Sequence, residues 1–336
     1  MLQRLAEQFE YSELIEEAVN CADSCERMAY IMILGLAPYS STIGRNNKPF
    51  NPLLGETYEL IDKEKNFRFL SEQVSHHPPI SAGYCENDQF EFWSNTNVKT
   101  TFWGASLEVK PLGPSHLKLK NSKDHYIWNK AKTSVNGIIL GKLYVDNFGE
   151  MTYDNVTTRE SGKLILKQRG WGDRGAYETT GFIKDASGKE RFTLKGRWDK
   201  EFTLINSITK VEKIIWRKNA LSNNANAQYN LTKFAIELNH LTPELLKHLP
   251  ITDSRLRPDQ KALEMGWIEL ANTEKLRLED KQRAKRKENE KVGRAHTPKW
   301  FEERTDNHTG QKEYFYIGKY WEAREKGVFH DLLDLY

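Results

Sequence analysis

Cysteine is nearly missing from this 336-residue chain, which has only Cys21, Cys25 and Cys85. An odd, sparse set gives no disulfide framework and points to a reducing compartment. Cys21 and Cys25 are spaced like neighbours on one helix face, but no further Cys or close His completes a zinc site. They read as buried structural thiols. Long apolar runs are missing too: no stretch of about 18 such residues occurs, so nothing is expected to span a membrane. The N-terminus has neither the charged region, the apolar region nor the cleavage site of a signal peptide. Charge of one sign is also scarce. A net charge of +3 implies no polyanionic partner, so any electrostatic function must come from local clustering. Catalytic signatures are absent as well: there is no G-x-S-x-G, no P-loop, no electropositive cysteine motif and no carboxylate set for a metal pair. Neither catalysis nor a cofactor is expected.

What the chain does contain is a change of texture. Residues 1–37 read as helical, with Leu2, Leu5, Phe9, Leu14, Ile15 and Val19 at three- to four-residue spacing and a second apolar face from Met28 to Leu36. From about Asn51 to Trp216, short β-branched and aromatic segments alternate with Gly, Asn and Asp. They are Phe67–Leu70, Phe90–Trp93, Ser106–Val109, Tyr126–Trp128, Gly137–Val145, Lys163–Lys167, Gly181–Lys184 and Phe192–Trp198. Such spacing without intervening helices predicts an antiparallel meander, a sandwich or a barrel. A barrel of more than about ten strands is too wide for side chains to fill and leaves a cavity suited to an apolar ligand. Strand texture is expected to end with Leu231–Leu238. Helices follow over Thr242–Leu249 and from about Asp259 to Val292, and an aromatic segment, Trp300 to Trp321, comes near the end.

Three stretches carry the chemistry. In Ser71-Glu72-Gln73-Val74-Ser75-His76-His77-Pro78-Pro79, neighbouring strand side chains would face opposite ways. The two prolines remove amide donors and free the chain to turn both imidazoles toward one ligand. No third His or carboxylate follows at ligand spacing, so the pair suits an anion such as phosphate better than a metal. Lys48-Pro49-Phe50-Asn51-Pro52 predicts a rigid extended loop presenting Lys48 and Asn51, although proline-stiffened turns with a solvated lysine are common. Lys275, Glu279 and Arg283 fall at i, i+4 and i+8, one stripe of a charged helix, a pattern that more often marks a solvated face. Its interleaved acids weaken any nucleic-acid footprint, so no nucleic-acid partner is expected.

Together these stretches resemble the oxysterol-binding-protein-related family. The carriers are EQVSHHPP at Glu72 to Pro79, KPFNPLLGE at Lys48 to Glu56, TDSRLRPDQKALEMG at Thr252 to Gly266, and EKLRLEDKQR after it. The resemblance covers nearly the whole chain, in order, and its texture is nearest that of the fungal homologues. It implies a β-dominated α+β fold: a large incomplete antiparallel β-barrel around a central lipid tunnel, flanked by N-terminal and C-terminal helices. The chain would be one lipid-transfer domain, with N-terminal helices over 1–37, a barrel over 48–240 and a C-terminal helical part over 241–336. The family's N-terminal lid would precede Leu2-Gln3-Arg4-Leu5, where this sequence starts, so the lid is expected to be absent.

Residue by residue, the resemblance implies a site for phosphatidylinositol 4-phosphate at the tunnel mouth. His76 and His77, with Arg283, would hold the inositol phosphate. Lys48 and Asn51 would hold the bridging phosphate, and Lys275 and Glu279 would reach the ring. Tyr39 is a candidate tunnel or sterol contact. The implied activity is exchange of a sterol for the phosphoinositide between membranes, one lipid per tunnel, with peripheral membrane contact. Phosphatidylserine in place of sterol, or a phosphoinositide sensor without transport, are the alternatives. The implied location is cytoplasmic, at endoplasmic reticulum contact sites or the Golgi. Protein partners are unknown.

Overall fold

The computed structural model describes residues 1–45 and 47–336. Three N-terminal helices, α1 (Leu2–Ala6), α2 (Glu13–Asn20) and α3 (Ser24–Leu36), precede the strands. Asp23 caps α3 by accepting from the Cys25 and Glu26 amides. From Met28 to Leu36 every residue of α3 is buried, as befits a helix apolar all round. Fourteen strands follow: β1 (Thr57–Asp62), β2 (Phe67–His76), β3 (Pro79–Glu86), β4 (Phe90–Phe102), β5 (Ser106–Pro111), β6 (Ser115–Leu119), β7 (His125–Trp128), β8 (Lys132–Asn136), β9 (Tyr144–Asn155), β10 (Glu160–Leu166), β11 (Glu178–Lys184), β12 (Glu190–Arg197), β13 (Glu201–Asn206) and β14 (Glu212–Arg217).

They form one antiparallel sheet in the order β1-β2-β3-β4-β5-β8-β9-β10-β11-β12-β13-β14. The long strand β4 divides it. Val98–Phe102 pairs with β5, whereas Phe90–Ser94 pairs with β6. On the far side β9 receives β8 along Tyr144–Phe148 and β7 along Tyr153–Asn155. Among the described residues β1 and β14 are the sheet's two ends and do not pair with each other, so the ring stays open. The β1 edge is covered instead: the Thr57 amide donates to the Thr252 carbonyl at 2.9 Å, and the Tyr58 hydroxyl to the Leu238 carbonyl at 2.8 Å. Covering an edge in this way removes a template for aggregation.

Helix α3 lies against β10, β11 and β12 and fills part of the curl. Nearby, Phe9 meets Phe67, Phe69, Phe90 and Phe92 with ring centroids 5.1–6.3 Å apart, so the N-terminal segment plugs the first strands. Following the registers, the turns β2–β3, β4–β5, β8–β9 and β10–β11 lie at one end of the sheet. Three of them carry bare apolar side chains: Phe102 and Trp103, Ile138 to Leu140, and Trp171. Leu140 is 90% exposed and Trp171 98%.

After the strands come α4 (Lys233–Glu237), α5 (Pro243–Leu246), α6 (Pro258–Glu264) and α7 (Ile268–Lys291), a hairpin of β15 (Phe301–Thr305) and β16 (Lys312–Tyr316), and α8 (Tyr320–Lys326). Three expectations fail here. Gly137–Val145 is mainly a turn, because Gly137 and Gly141 have φ of 73° and 100°, left-handed values that end β8. Its apolar run faces outward instead of pairing. Leu231–Leu238 is helical and not a strand, since the Thr232 hydroxyl caps α4 through the Ala235 amide. The helix expected from Asp259 to Val292 is two helices, broken at Gly266 with φ 78°, a left-handed C-terminal stop.

Buried carboxylates of the first strands hold the C-terminal region. Glu56 accepts from the Arg257 guanidinium at 2.9 Å, and the same guanidinium bonds Asp259 twice at 2.8 Å. Glu59 accepts from the Tyr320 hydroxyl at 2.6 Å and Arg324 at 2.7 Å. Glu72 accepts from the Lys299 and Trp300 amides at 2.8 and 2.9 Å. Burial raises all three carboxyls above their usual range, and Glu72, which has amides and no contacting cation, reaches about 7.

Two stability measurements test this packing. A Cβ on Gly35 of α3 would lie 2.5 Å from the Tyr153 hydroxyl and 2.8 Å from Trp128 Nε1. Gly35→Ala should therefore destabilise by about 1–3 kcal/mol in urea unfolding, against the roughly 1 kcal/mol that helix propensity favours alanine; a stabilised variant contradicts the close approach. Arg257→Met strands Glu56 and Asp259 without their cation, and about 3–5 kcal/mol of stability should be lost. A near-neutral result would show that water already solvates the cluster.

Candidate functional site

The paired histidines stand at the β2–β3 turn. His76 closes β2 opposite Pro79, His77 and Pro78 form the connection, and the His77–Pro78 bond is cis. The rings lie 4.5 Å apart, edge to face, so both imidazoles belong to one tip. His76 is half-buried and His77 exposed. Burial, then the charges of His77 and Arg286, holds the His76 pKa below the usual 6.5.

Gln282, which the sequence reading passed over, joins three segments. Its Oε1 accepts from the Leu54 amide at 2.8 Å, and its Nε2 lies 3.2 Å from His76 Nε2. With Gln282 donating, His76 carries its proton on Nδ1. The proline-rich loop, the histidine tip and α7 thus meet at one side chain. The loop is fixed from below. Arg257 donates to the Asn51 carbonyl at 2.7 Å, and the Leu53 amide donates to Glu56 at 2.8 Å. The RLR of the C-terminal block is therefore a clamp: Arg255 grips Asp253 at 2.8 Å and the Glu59 carbonyl at 3.0 Å, and covers the Tyr58 ring at 4.7 Å.

On α7, Lys275 Nζ lies 2.7 Å from Glu279. Arg283 lies 2.7 Å from Asp280 and 3.9 Å from Glu279. The stripe predicted from spacing thus exists as an exposed chain of ion pairs. Lys48 and Asn51 are exposed, and among the described residues neither side chain makes a hydrogen bond or ion pair. The structure therefore joins His76 with His77, and Lys275 with Glu279 and Arg283, but among the described residues no hydrogen bond or ion pair links these groups to Lys48 or Asn51. A cleft of about 640 Å³ beside the tip is lined by Leu53, Leu54, His76, Gln282, Arg286 and His296, among others. Of the predicted site residues, His76 alone lines it.

Tyr39 accepts a hydrogen bond from the Ala131 amide at 2.9 Å and packs against the main core. Burial pushes its phenol up. Next to it, burial alone lowers the Lys130 ammonium to about 8, although the residue keeps part of its surface accessible. Among the described residues Lys130 has no ion-pair partner.

Comparison with known proteins agrees with this architecture. The family model described as oxysterol-binding protein matches residues 1–325. The chain is 41% identical over 99% of its length to oxysterol-binding protein homolog 2 of Saccharomyces cerevisiae, covering 28% of that protein. It is 41% identical over 98% of its length to human oxysterol-binding protein-related protein 6, covering 35%. The chain thus spans about a third of these curated relatives. Among solved structures, the Osh1 ORD domain in complex with ergosterol superposes with a TM-score of 0.94 at 35% identity, covering 100% of this chain and 84% of that one. The Osh3 ORD of Saccharomyces cerevisiae in complex with PI(4)P gives 0.86 at 31% identity, covering 100% and 88%. An open antiparallel barrel with helices at both ends, a paired-histidine tip stapled to a charged helix, and a family match along nearly its whole length place this chain in the oxysterol-binding-protein family.

Proposed function

We propose that this chain extracts a sterol and phosphatidylinositol 4-phosphate one at a time and exchanges them between membranes. The observation that carries the reading is that one fold, matched over this whole chain, holds ergosterol in one relative and PI(4)P in another. The same interior would serve both lipids, so that loading one displaces the other. His76 and His77, with Arg283, would receive the inositol phosphate, a multiply charged acceptor suited to imidazole and guanidinium donors. Lys48 and Asn51, whose side chains make no hydrogen bond or ion pair among the described residues, would supply donors for the bridging phosphate. Lys275 and Glu279 serve the ring and its hydroxyls, and Tyr39 lies toward the lipid interior. A bound headgroup has to draw Arg283 from Asp280.

Membrane contact is assigned to the end of the sheet that carries the histidine tip. The exposed side chains of Trp103, Ile139, Leu140 and Trp171 stand there, and apolar loop tips of this kind enter the headgroup boundary of a bilayer. Among the described residues no helix is long and apolar enough to cross a membrane, so the association is peripheral. The free thiols Cys25 and Cys85 are buried. They suit the cytoplasmic side of endoplasmic reticulum contact sites or the Golgi.

Liposome extraction tests both halves. With a fluorescent sterol and labelled phosphatidylinositol 4-phosphate, His76→Ala/His77→Ala should lose phosphoinositide extraction and keep sterol extraction. Loss of both, with the fold intact, removes the site assignment; uptake of phosphatidylserine in place of sterol changes the second ligand. Replacing Ile139 and Leu140 with Asp should slow extraction from vesicles while leaving thermal stability unchanged, and an unaltered rate would move the contact elsewhere.

The pH dependence has a definite sign. Free His76 is neutral at pH 7, and a bound phosphate raises its pKa, so binding takes up a proton. Phosphoinositide affinity should rise as pH falls from about 8 to about 6.5, and the double-alanine variant should lose that slope. A flat wild-type profile would mean that the imidazoles bind without gaining charge.

A further inference from the structure

Away from the histidine tip, the β15–β16 hairpin docks on the β4–β6–β7 part of the sheet. Asn95 fixes it through both amide atoms, donating to the Tyr314 carbonyl at 3.1 Å and accepting from the Tyr314 amide at 2.5 Å. Beneath this contact His116, Asp306 and Glu313 each turn one ligand atom into a common space, all within 4.8 Å of one another. His116 is 0% exposed, Glu313 1% and Asp306 7%. The three come from β6, the hairpin turn and β16, so no local spacing in the sequence announces them.

Two atoms in this space have no ordinary partner. His116 Nε2 and Glu313 Oε2 lie 3.0 Å apart, yet the geometry is not that of a hydrogen bond and neither atom has any other hydrogen-bond partner. The remaining atoms are already engaged. His116 Nδ1 lies 3.1 Å from His125 Nε2. Asp306 Oδ1 accepts from the His308 and Thr309 amides at 2.8 Å each, and Glu313 Oε1 accepts from the Thr309 hydroxyl at 2.7 Å. Trp93 stacks on the His116 ring at 4.6 Å. The outer groups therefore orient each ligand and leave His116 Nε2 and Glu313 Oε2 facing inward, a pattern typical of the shell around a bound metal.

Charge points the same way. Asp306 and Glu313 are buried together beside the His116 imidazole, with the His125 and His308 rings next in the cluster, and two carboxylates sharing one site repel each other. A divalent cation neutralises both. One imidazole nitrogen with two carboxylate oxygens suits zinc better than calcium or magnesium, which favour oxygen alone.

We propose that His116 Nε2, Asp306 and Glu313 bind a single divalent cation of the zinc type, with a fourth position left for water, and that this ion pins the C-terminal hairpin to the barrel. The bond formed is coordinate only, and nothing is oxidised or reduced.

The test uses the whole chain, stripped with a chelator and titrated with Zn²⁺ alone by calorimetry, with metal content measured before and after. The expected result is one zinc per chain. Asp306→Asn and Glu313→Gln should each weaken binding by about tenfold or more, and zinc should raise the melting temperature of the unmutated chain but not of the variants. Co²⁺ in place of zinc should give the visible absorption of a low-coordinate nitrogen and oxygen site. A folded, stripped chain that takes up no zinc overturns the proposal. Undiminished uptake by both variants overturns it too, because the ion then binds elsewhere.

Discussion

Burying an acid away from water is among the most costly acts in a protein interior, and the segment from Glu56 to Glu72 does it three times. Glu56, Glu59 and Glu72 are each about 1% exposed or less, and each accepts from at least one group beyond residue 250. Their partners differ in kind. Glu56 and Glu59 meet guanidinium groups, whereas Glu72 meets only backbone amides, and its carboxyl is accordingly the one raised to about 7. Removing the C-terminal region would leave these acids to be hydrated or protonated. Barrel and tail are therefore one cooperative structure, held by charge as much as by apolar contact.

The position of α7 follows from that constraint. Arg257 and Asp259 sit at the entrance to α6, and the left-handed Gly266 sets where α7 departs. Seated this way, α7 presents Gln282 to the Leu54 amide and to His76, and its charged stripe lies on a neighbouring face. Residues that a ligand would meet are thus placed by residues it would never touch. The Arg255 and Arg257 ion pairs brace the base of the loop, on which Lys48 and Asn51 stand exposed.

Much of this was legible in the sequence. Short strands broken by turn residues announced the wide antiparallel sheet, and the resemblance carried its incomplete closure and flanking helices. The buried N-terminal helix was visible in its unbroken apolar run. Gly137–Val145 misled because apolar residues at a hairpin tip look like strand residues until the glycine conformations are known. Leu231–Leu238 misled because one capping threonine outweighed β-branched texture. Gln282 and Glu72 were both inside recognised motifs but carried no role, since a glutamine on a polar helix and a glutamate in a strand look like surface until their long-range partners are seen. Such pairings, 206 residues apart for Gln282 and His76, have no local signature.

That separation has a temporal side. The histidine tip is made well before its support: the twelve strands after it are complete by residue 217, yet the glutamine that bonds His76 comes some 65 residues later by the numbering. The Glu72 amide partners come later still. At about 5–20 residues per second, a nascent chain passes several seconds with its sheet complete and its histidines unsupported. Gln282 therefore reaches His76 only after every strand of the sheet has been made, so a chain stopped between residues 217 and 282 carries the histidines without the side chain that bonds them.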